Sequence, residues 1–445
     1  MKRISLLTLM ICSTVAWSQE HFTGISTSDN AGLMNVMLNP AAAGNAQNGI
    51  YVNMVSMSGN LLNNKIGYSD LISGKNFERA IFSGNEPANL RLDGQILGPS
   101  ISWKIDKWAF FFTSSANTQA NIINLDNSLG NAIVNDMIDV TGAASILSRN
   151  QRANGMAWGE LGVGLAREVF SVNGHSLYAG AQFKWMLAGA YVDMAASAFT
   201  GKLSVQGNNV LLTDASARLN FSYSGSLGDD FTRIPNYMDY LGKPGGVSTD
   251  LGLSYTWKME NESAPRITAG ISIKNIGSVS FKDQNSSSNT YLLNIPDGQY
   301  FNLSQFKDEG DIKVIEQRLK QSGFLTVTND KQNFKVKTPT LFMLNANVKV
   351  YDRFYLGAVL QQKTNSETKE NQLNAQDVVT FIPRYRTDNF EVFLPVSHYQ
   401  ISGTAAGVGM RYRAFFIGSG SVITGLLNNS NTRQVDGYIG FRIAI

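Results

Sequence analysis

What most restricts the fold of this chain is a set of segments in which apolar and polar side chains alternate over about ten residues, the mark of extended strands with two unlike faces. Between Thr249 and Lys258, Leu251, Leu253, Tyr255 and Trp257 fall on one face, with Asp250, Gly252, Ser254, Thr256 and Lys258 on the other. After a short turn at Asn261-Glu262-Ser263, Ile267, Ala269, Ile271 and Ile273 alternate with Thr268, Gly270, Ser272 and Lys274. A second hairpin sets Phe342, Leu344, Ala346, Val348 and Val350 against Met343, Asn345, Asn347 and Lys349. It turns at Tyr351 to Arg353 and returns with Phe354, Leu356, Ala358 and Leu360 on the apolar face. A third has Leu161, Val163 and Leu165, a turn at Asn173-Gly174, and a return through Leu177, Ala179, Ala181, Phe183, Trp185 and Leu187. Asn-Gly is the strongest short-range hairpin signal.

A soluble sandwich shows the same alternation with its apolar face inward, so the pattern alone does not say which face meets water. Three further features favour a membrane barrel. The runs exceed the usual five or six residues of a sandwich strand and suit the roughly 9–11 needed to cross a bilayer at a tilt. Tight links at Asp106-Lys107, Asn173-Gly174, Asn208-Asn209, Tyr351 to Arg353 and Thr387 to Asn389 alternate with long connections at 60–97, 118–155, 225–246, 276–337 and 364–377. Short inner turns and long outer loops are the habit of outer-membrane barrels. Finally, Lys2 and Arg3, an apolar stretch from Ile4 to Val15, and Ala16-Trp17-Ser18 form the pattern of a cleaved secretory leader. That stretch is shorter than the roughly 20 residues of a spanning helix.

The only cysteine, Cys12, lies in the leader, so the mature chain is expected to have no disulfide. The full chain's 16% charged and 10% aromatic residues, with 41 glycines, suit strands facing lipid on one side, and its net charge of +3 does not call for nucleic acid. No later stretch is apolar enough for a membrane helix, and a sheet in lipid must close to satisfy its edges. The expected fold is all-β: a transmembrane antiparallel up-and-down β-barrel of about 14 (14–16) strands, an even number that puts both ends in the periplasm. The expected division is a signal peptide at 1–18, an N-terminal periplasmic or luminal segment at 19–48, and the barrel at 49–445 with a long loop insertion at about 276–338. The last run, with Ile439, Phe441, Ile443 and Ile445 outward, ends the chain inside a strand.

The polar faces nominate lumen-lining residues: Glu160, Gln182, Lys184, Asp250, Lys258, Lys274, Asn345, Asn347, Lys349 and Arg442. Opposite charges crowded in a lumen tend to pair into a structural network, which is favoured here over a selectivity filter. His21, His175 and His398 lack metal-ligand spacing and read as solvated loop residues, so no metal or other cofactor is expected. No nucleophile elbow, Walker loop or dinucleotide fingerprint occurs, and the chain reads as a non-enzyme. Asp311 to Gly323 reads as a helix, with Ile312, Ile315 and Leu319 on one face; it is either a lid over the barrel mouth or a helix packed on the loop surface. Tyr237, Tyr240, Tyr291, Tyr300 and Phe301 either line a ligand entrance or pack the loops, and Trp185 and Trp257 suit an interfacial aromatic girdle.

Near the start of the mature chain, Met37-Leu38-Asn39-Pro40-Ala41-Ala42-Ala43-Gly44 resembles the Asn-Pro-Ala segment that precedes the first strand of fatty-acid-transporter-like barrels. It also resembles the related segment of the PorP/SprF-type barrels of Bacteroidota associated with gliding and type IX secretion. Lys337-Thr338-Pro339-Thr340-Leu341 with the hairpin to Leu360, and the stretches around Gly407 to Ser419 and Gly437 to Ile445, are similar to an uncharacterised Bacteroidota family with a domain of unknown function. The resemblance implies a 14-stranded barrel with Asn39, Pro40 and Ala41 tucked into the lumen. It further implies a channel or transporter in the outer membrane for a small solute, hydrophobic by analogy, with outer-membrane lipid around it. The competing expectations are a non-transporting barrel that anchors or partners other envelope or secretion proteins, and a soluble secreted adhesin.

Overall fold

The computed structural model describes residues 21–444 apart from 47–48, 75–76, 135–143, 208, 231–241, 261, 263, 284, 307–308 and 367. The leader, Cys12, Tyr237, Tyr240 and Ile445 lie outside the described residues. Fourteen antiparallel strands close on themselves. The first five are β1 (Gly49–Asn63), β2 (Ala88–Leu97, continuing as Ser100–Ile105), β3 (Trp108–Leu125), β4 (Ala144–Val172) and β5 (His175–Gln206). After β6 (Asn209–Ser224) the wall resumes with β7 (Lys243–Trp257) and β8 (Ile267–Phe281). Three further strands, β9 (Ser287–Asn302), β10 (Leu325–Lys331) and β11 (Phe334–Lys337), belong to the long insertion. The wall is completed by β12 (Leu341–Tyr351), β13 (Phe354–Lys363), β14 (Val378–Arg386), β15 (Phe390–Phe393 and Val396–Tyr399), β16 (Gly403–Ala406 and Val408–Tyr412), β17 (Phe415–Ser419) and β18 (Gln434–Ala444). Closure is visible at Val52 of β1, which stands opposite Ile101 of β2 on one side and Ile443 of β18 on the other. Among the described residues no wall strand is left with an unpaired edge for water or lipid to satisfy.

Burial is inverted relative to a soluble protein. On β7, Leu251 and Leu253 are 49% and 46% exposed, while their neighbours Asp250 and Ser254 are 1% and 2% exposed. The same inversion runs along β18, where Ile439, Phe441 and Ile443 are exposed and Tyr438 is buried. A soluble chain with this exterior would present a continuous apolar belt to water; in a bilayer the belt meets hydrocarbon. On β5 the belt runs from Leu177 to Leu187, about 33 Å of strand at ~3.3 Å per residue, or about 25 Å of depth at a tilt near 40°. Exposed Trp103, Trp108, Tyr351, Phe354 and Tyr412 gather where the short turns are. Trp257 joins them, stacked on His175 with ring centroids 5.8 Å apart, while Trp185 stands near the other end of the belt. These are the girdle positions of a barrel wall.

Beyond the membrane the wall keeps growing on one side. β5 pairs with β7 from His175 to Ala188, then exchanges that partner for β6 from Tyr191 onward. The far parts of β4 and β5 continue with β6, β9 and β10 as a five-stranded sheet. Of the expected inner turn at Asn208-Asn209, Asn208 lies outside the described residues; Asn209 pairs with Gln206 at the distal end of this sheet, away from the inner turns. The expected helix is present as Ile312–Gln321, with the Asp311 side chain capping it by accepting from the Lys313 N–H. It packs on the sheet through Ile312 and Leu319 in a cluster that includes Phe221, Tyr291 and Phe301. Glu316, buried beneath the helix, accepts from Tyr223 Oη at 3.1 Å, from Asn289 Nδ2 at 2.7 Å and from Tyr291 Oη. Of the two placements open from sequence, the helix thus packs on the loop sheet. Tyr291 and Phe301 are packing residues there, and Tyr300 is exposed.

A plugged lumen with two chambers

The N-terminal segment enters the barrel and divides its lumen. Short helical turns at Ile25–Thr27, Leu33–Val36 and Pro40–Asn45 are joined by extended residues. Phe22, Ile25, Met34 and Leu38 pack with wall residues Leu97, Leu341, Met343, Ile382 and Phe416. Each such side chain taken from water contributes about 1.5–3 kcal/mol. Asn39 is extended, with Pro40 at the first position of the turn that follows, and its Oδ1 caps that turn by accepting from the Ala41 N–H at 2.9 Å. Its Nδ2 donates to the carbonyls of Leu253 on β7 (2.8 Å) and Ile271 on β8 (3.3 Å).

Three wall glycines make room for this motif. A Cβ at Gly252 would stand 2.0 Å from Asn39 Oδ1, one at Gly270 2.5 Å from Asn39 Nδ2, and one at Gly180 2.4 Å from the Ala41 nitrogen. On adjacent strands, they form a shelf in which Asn39-Pro40-Ala41 rests against bare backbone. Ser272 Oγ donates to the Leu38 carbonyl at 2.6 Å, and Lys274 Nζ to that of Met37. The rest of the plug is held by charge. Arg386 pairs with Asp29 at 2.5 Å; Arg384 donates to the Gly24 carbonyl and Thr27 Oγ1.

On the outer side of the plug lies a central chamber of about 140 Å³. One wall is apolar, with Leu97, Leu341 and Met343 beside Phe22 and Leu38 of the plug; the other carries Arg91, Asp93, Glu160, Gln182, Lys184, Asp250 and Lys274. Lys184 Nζ lies 3.0 Å from Asp250 and 3.8 Å from Glu160, and Gln182 donates to Thr113 at 2.7 Å. Ion pairs of this kind between strands fix the wall while offsetting the cost of buried charge. The roof is the connection 364–377, which folds inward. Arg91 Nη1 donates to the Asn374 carbonyl (2.6 Å), Arg152 Nη1 to the Lys369 carbonyl (2.5 Å) and the Asn371 N–H to Asp193 (3.4 Å). Leu373 is fully buried with Tyr191, Phe281 and Phe334. Asp193 lies on β5 beyond the membrane belt; burial pushes its carboxyl up to about 6, against the pull of Arg152 at 3.2 Å.

On the inner side of the plug a vestibule of about 480 Å³ opens among the short turns, lined by Asp29, Asn35, Tyr51, Arg386, Arg411, Arg413 and Arg442. Nine of the ten nominated lumen residues distribute along this path. Glu160, Gln182, Lys184, Asp250 and Lys274 line the central chamber, and Asn345 and Asn347 stand beside the plug, the latter donating to Asp29 at 3.2 Å. Arg442 lines the vestibule, and Lys349 reaches Glu262 at the rim, 3.1 Å away. Lys258 is a correction: β7 ends at Trp257, and Lys258 is an exposed turn residue whose N–H donates to the Gly174 carbonyl. His21 is a second correction, because it lines the central chamber and contacts Ser58 at 3.1 Å instead of lying in a solvated tail. Among the described residues no group of three potential metal ligands comes together.

Sequence reasoning passed over Arg91, Asp93, Arg152, Asp193, Arg384, Arg386, Glu391 and Arg411. For four of them a signal was available, as charged residues spaced by two in Arg91-Leu92-Asp93 and Arg384-Tyr385-Arg386.

The chain belongs to the family of unknown function DUF5723, whose profile matches residues 40–420. No curated protein matches it. Among solved structures it is similar to the TodX deltaS2S3 mutant monoaromatic hydrocarbon channel, at 11% identity over 96% of each chain with a TM-score of 0.46. It is also similar to the Ralstonia pickettii toluene transporter TbuX, at 10% identity over 94% of each chain with a TM-score of 0.42. A Pseudomonas aeruginosa FadL homologue matches at 10% identity over 96% of this chain and 98% of that one, with a TM-score of 0.40.

Proposed function

From membership of a family with no assigned function, we propose that this barrel is a gated channel in the outer membrane of a Gram-negative bacterium, exported through a leader cleaved after Ser18. The observation that carries the reading is the stacking of two chambers, about 140 and 480 Å³, separated along the lumen by a stretch of non-strand chain. A barrel serving only as an anchor needs no internal space, whereas a channel at rest needs a barrier that can move. The plug suits that task, because beside its apolar contacts it is held by hydrogen bonds and ion pairs that can be exchanged for water. The mixed walls of the central chamber suit a small amphipathic solute, with an apolar body against Leu97, Leu341 and Met343 and a polar end toward Lys184 and Asp250. Neither end of the path requires a catalytic step.

Single-channel recording in planar bilayers tests this. The wild-type barrel is expected to be closed most of the time. Asn39→Ala removes a cap and two wall contacts, roughly 2–4 kcal/mol of plug docking, and raises the open fraction; Gly252→Val, which fills the shelf, raises it further. If both variants fold and stay sealed, the gating account fails. The second reading, a barrel that partners other envelope proteins, draws on β10, which among the described residues pairs on one side only and has Val327 exposed. Crosslinking from Val327 in intact cells gives a discrete protein adduct on that reading and none on the first.

A further inference from the structure

The vestibule holds more positive charge than its own carboxylates neutralise. Four guanidinium groups, those of Arg384, Arg386, Arg411 and Arg442, stand around two carboxylates, Glu391 and Asp29. Both carboxylates are committed. Glu391 is shared between Arg384 at 2.8 Å and Arg411 at 3.3 Å and also accepts from Ser28 Oγ at 2.8 Å. Asp29 is taken by Arg386, Thr268 and Asn347. The remaining donors of Arg411 are turned to the backbone carbonyls of Thr387, Asp388 and Arg413. At the exposed lip stand Asp388 and Arg413, the latter with its guanidinium over the Tyr412 ring, 5.6 Å from its centroid.

Arg442 is left over. Its Nε is buried and, among the described residues, has no hydrogen-bond partner, and a guanidinium nitrogen lies where a Cβ at Gly32 would be only 2.9 Å away. Arg442 as a whole is half-buried and lines the vestibule, and a buried donor left without an acceptor favours an anion that supplies one. The vestibule beside it is large enough to hold one, and the planar fork of guanidinium donors matches the paired oxygens of a carboxylate or phosphate.

We propose that the vestibule is an oxyanion site, with Arg442 as its principal ligand and Arg411 and Arg413 as flanking charges. The group bound is the carboxylate or phosphate of a small molecule on the turn side of the plug. The site stands on the charge arrangement alone and does not require that the barrel conduct.

Isothermal titration of the detergent-solubilised full chain with sodium phosphate, and separately with sodium propionate, at constant ionic strength in a chloride background distinguishes the two chemistries. Saturable binding of at least one anion is expected, weakened tenfold or more in Arg442→Gln and partly restored in Arg442→Lys. No saturable heat with either anion, or unchanged binding in a folded Arg442→Gln, overturns the proposal. A second measurement on the wild type covers a variant that does not fold: the anion that binds slows modification of Arg442 by phenylglyoxal, read by mass spectrometry. An unchanged rate at saturating concentrations of both anions likewise overturns it.

Discussion

β4 and β5 pass through two environments, and the contrast between their halves explains much of the molecule. In the membrane half, Leu161, Val163 and Leu165 of β4 and Phe183 and Trp185 of β5 lie exposed on the outer face, while Glu160, Gln182 and Lys184 face the chamber. In the distal half, Ile146, Phe199 and Leu203 are buried beneath the loop sheet and its helix. One alternating pattern thus serves two solvents. In the first half the lipid covers the apolar face, and in the second the chain must supply its own cover, which is why the insertion carries β9, β10 and the helix Ile312–Gln321. The two halves are expected to fail separately.

The largest effect expected in the distal half comes from Glu316→Ala. It leaves the buried donors of Asn289 and Tyr291 without their acceptor, at about 1–3 kcal/mol each. Hydrogen exchange over 287–331 should rise by two orders of magnitude or more while the membrane strands stay protected; uniform loss of protection would break the contrast. In the membrane half, Leu251→Arg puts a charge on the lipid face, and unfolding in urea from phospholipid vesicles should show a loss of about 2–4 kcal/mol. The same change at Val327, exposed on β10, should register under about 0.5 kcal/mol.

A pH-dependent effect sharpens the junction between the halves. Asp193 holds the inward-folded connection 364–377 through the Asn371 N–H, and its folded-state value of about 6 lies above the ordinary 3.8. The docked form therefore keeps its proton when the undocked form has lost it. Docking is strongest below the ordinary value and weakens as pH rises through about 6. Protease cleavage within 364–377 should accelerate by about tenfold or more between pH 4.5 and 7 by this linkage, and Asp193→Asn should flatten that dependence.

The faces of the wall were legible in the sequence because a period of two needs only one strand to be read. The alternations at β4, β5, β7, β8, β12, β13 and β18 carry directly into the barrel, as does the helix within 311–323. Height along a strand was harder to read. Lys258 keeps the polar phase of Asp250 and Ser254 but lies one residue past the strand end, and Asn208-Asn209 has the chemistry of a tight turn without saying at which end of the barrel it turns. The Asn39-Pro40-Ala41 motif announced a luminal segment, yet its seat on Gly180, Gly252 and Gly270 depends on the register of three strands. The same holds for the arginine cluster, whose members come from β14, β16 and β18, and for the inward fold of 364–377, which rests on Arg91 and Arg152 of distant strands. Pairings between strands follow from register, which a single strand does not encode.

The account depends most on the inverted wall, and cysteine scanning along β7 reads it directly, given a sequence whose single cysteine is Cys12. With the chain in vesicles, fluorophores on Leu251→Cys and Leu253→Cys should be quenched by brominated lipid, and those on Asp250→Cys and Ser254→Cys should not. Quenching that ignores the alternation, or that falls on the Asp250 face, contradicts a barrel with hydrocarbon outside and a polar, plugged interior.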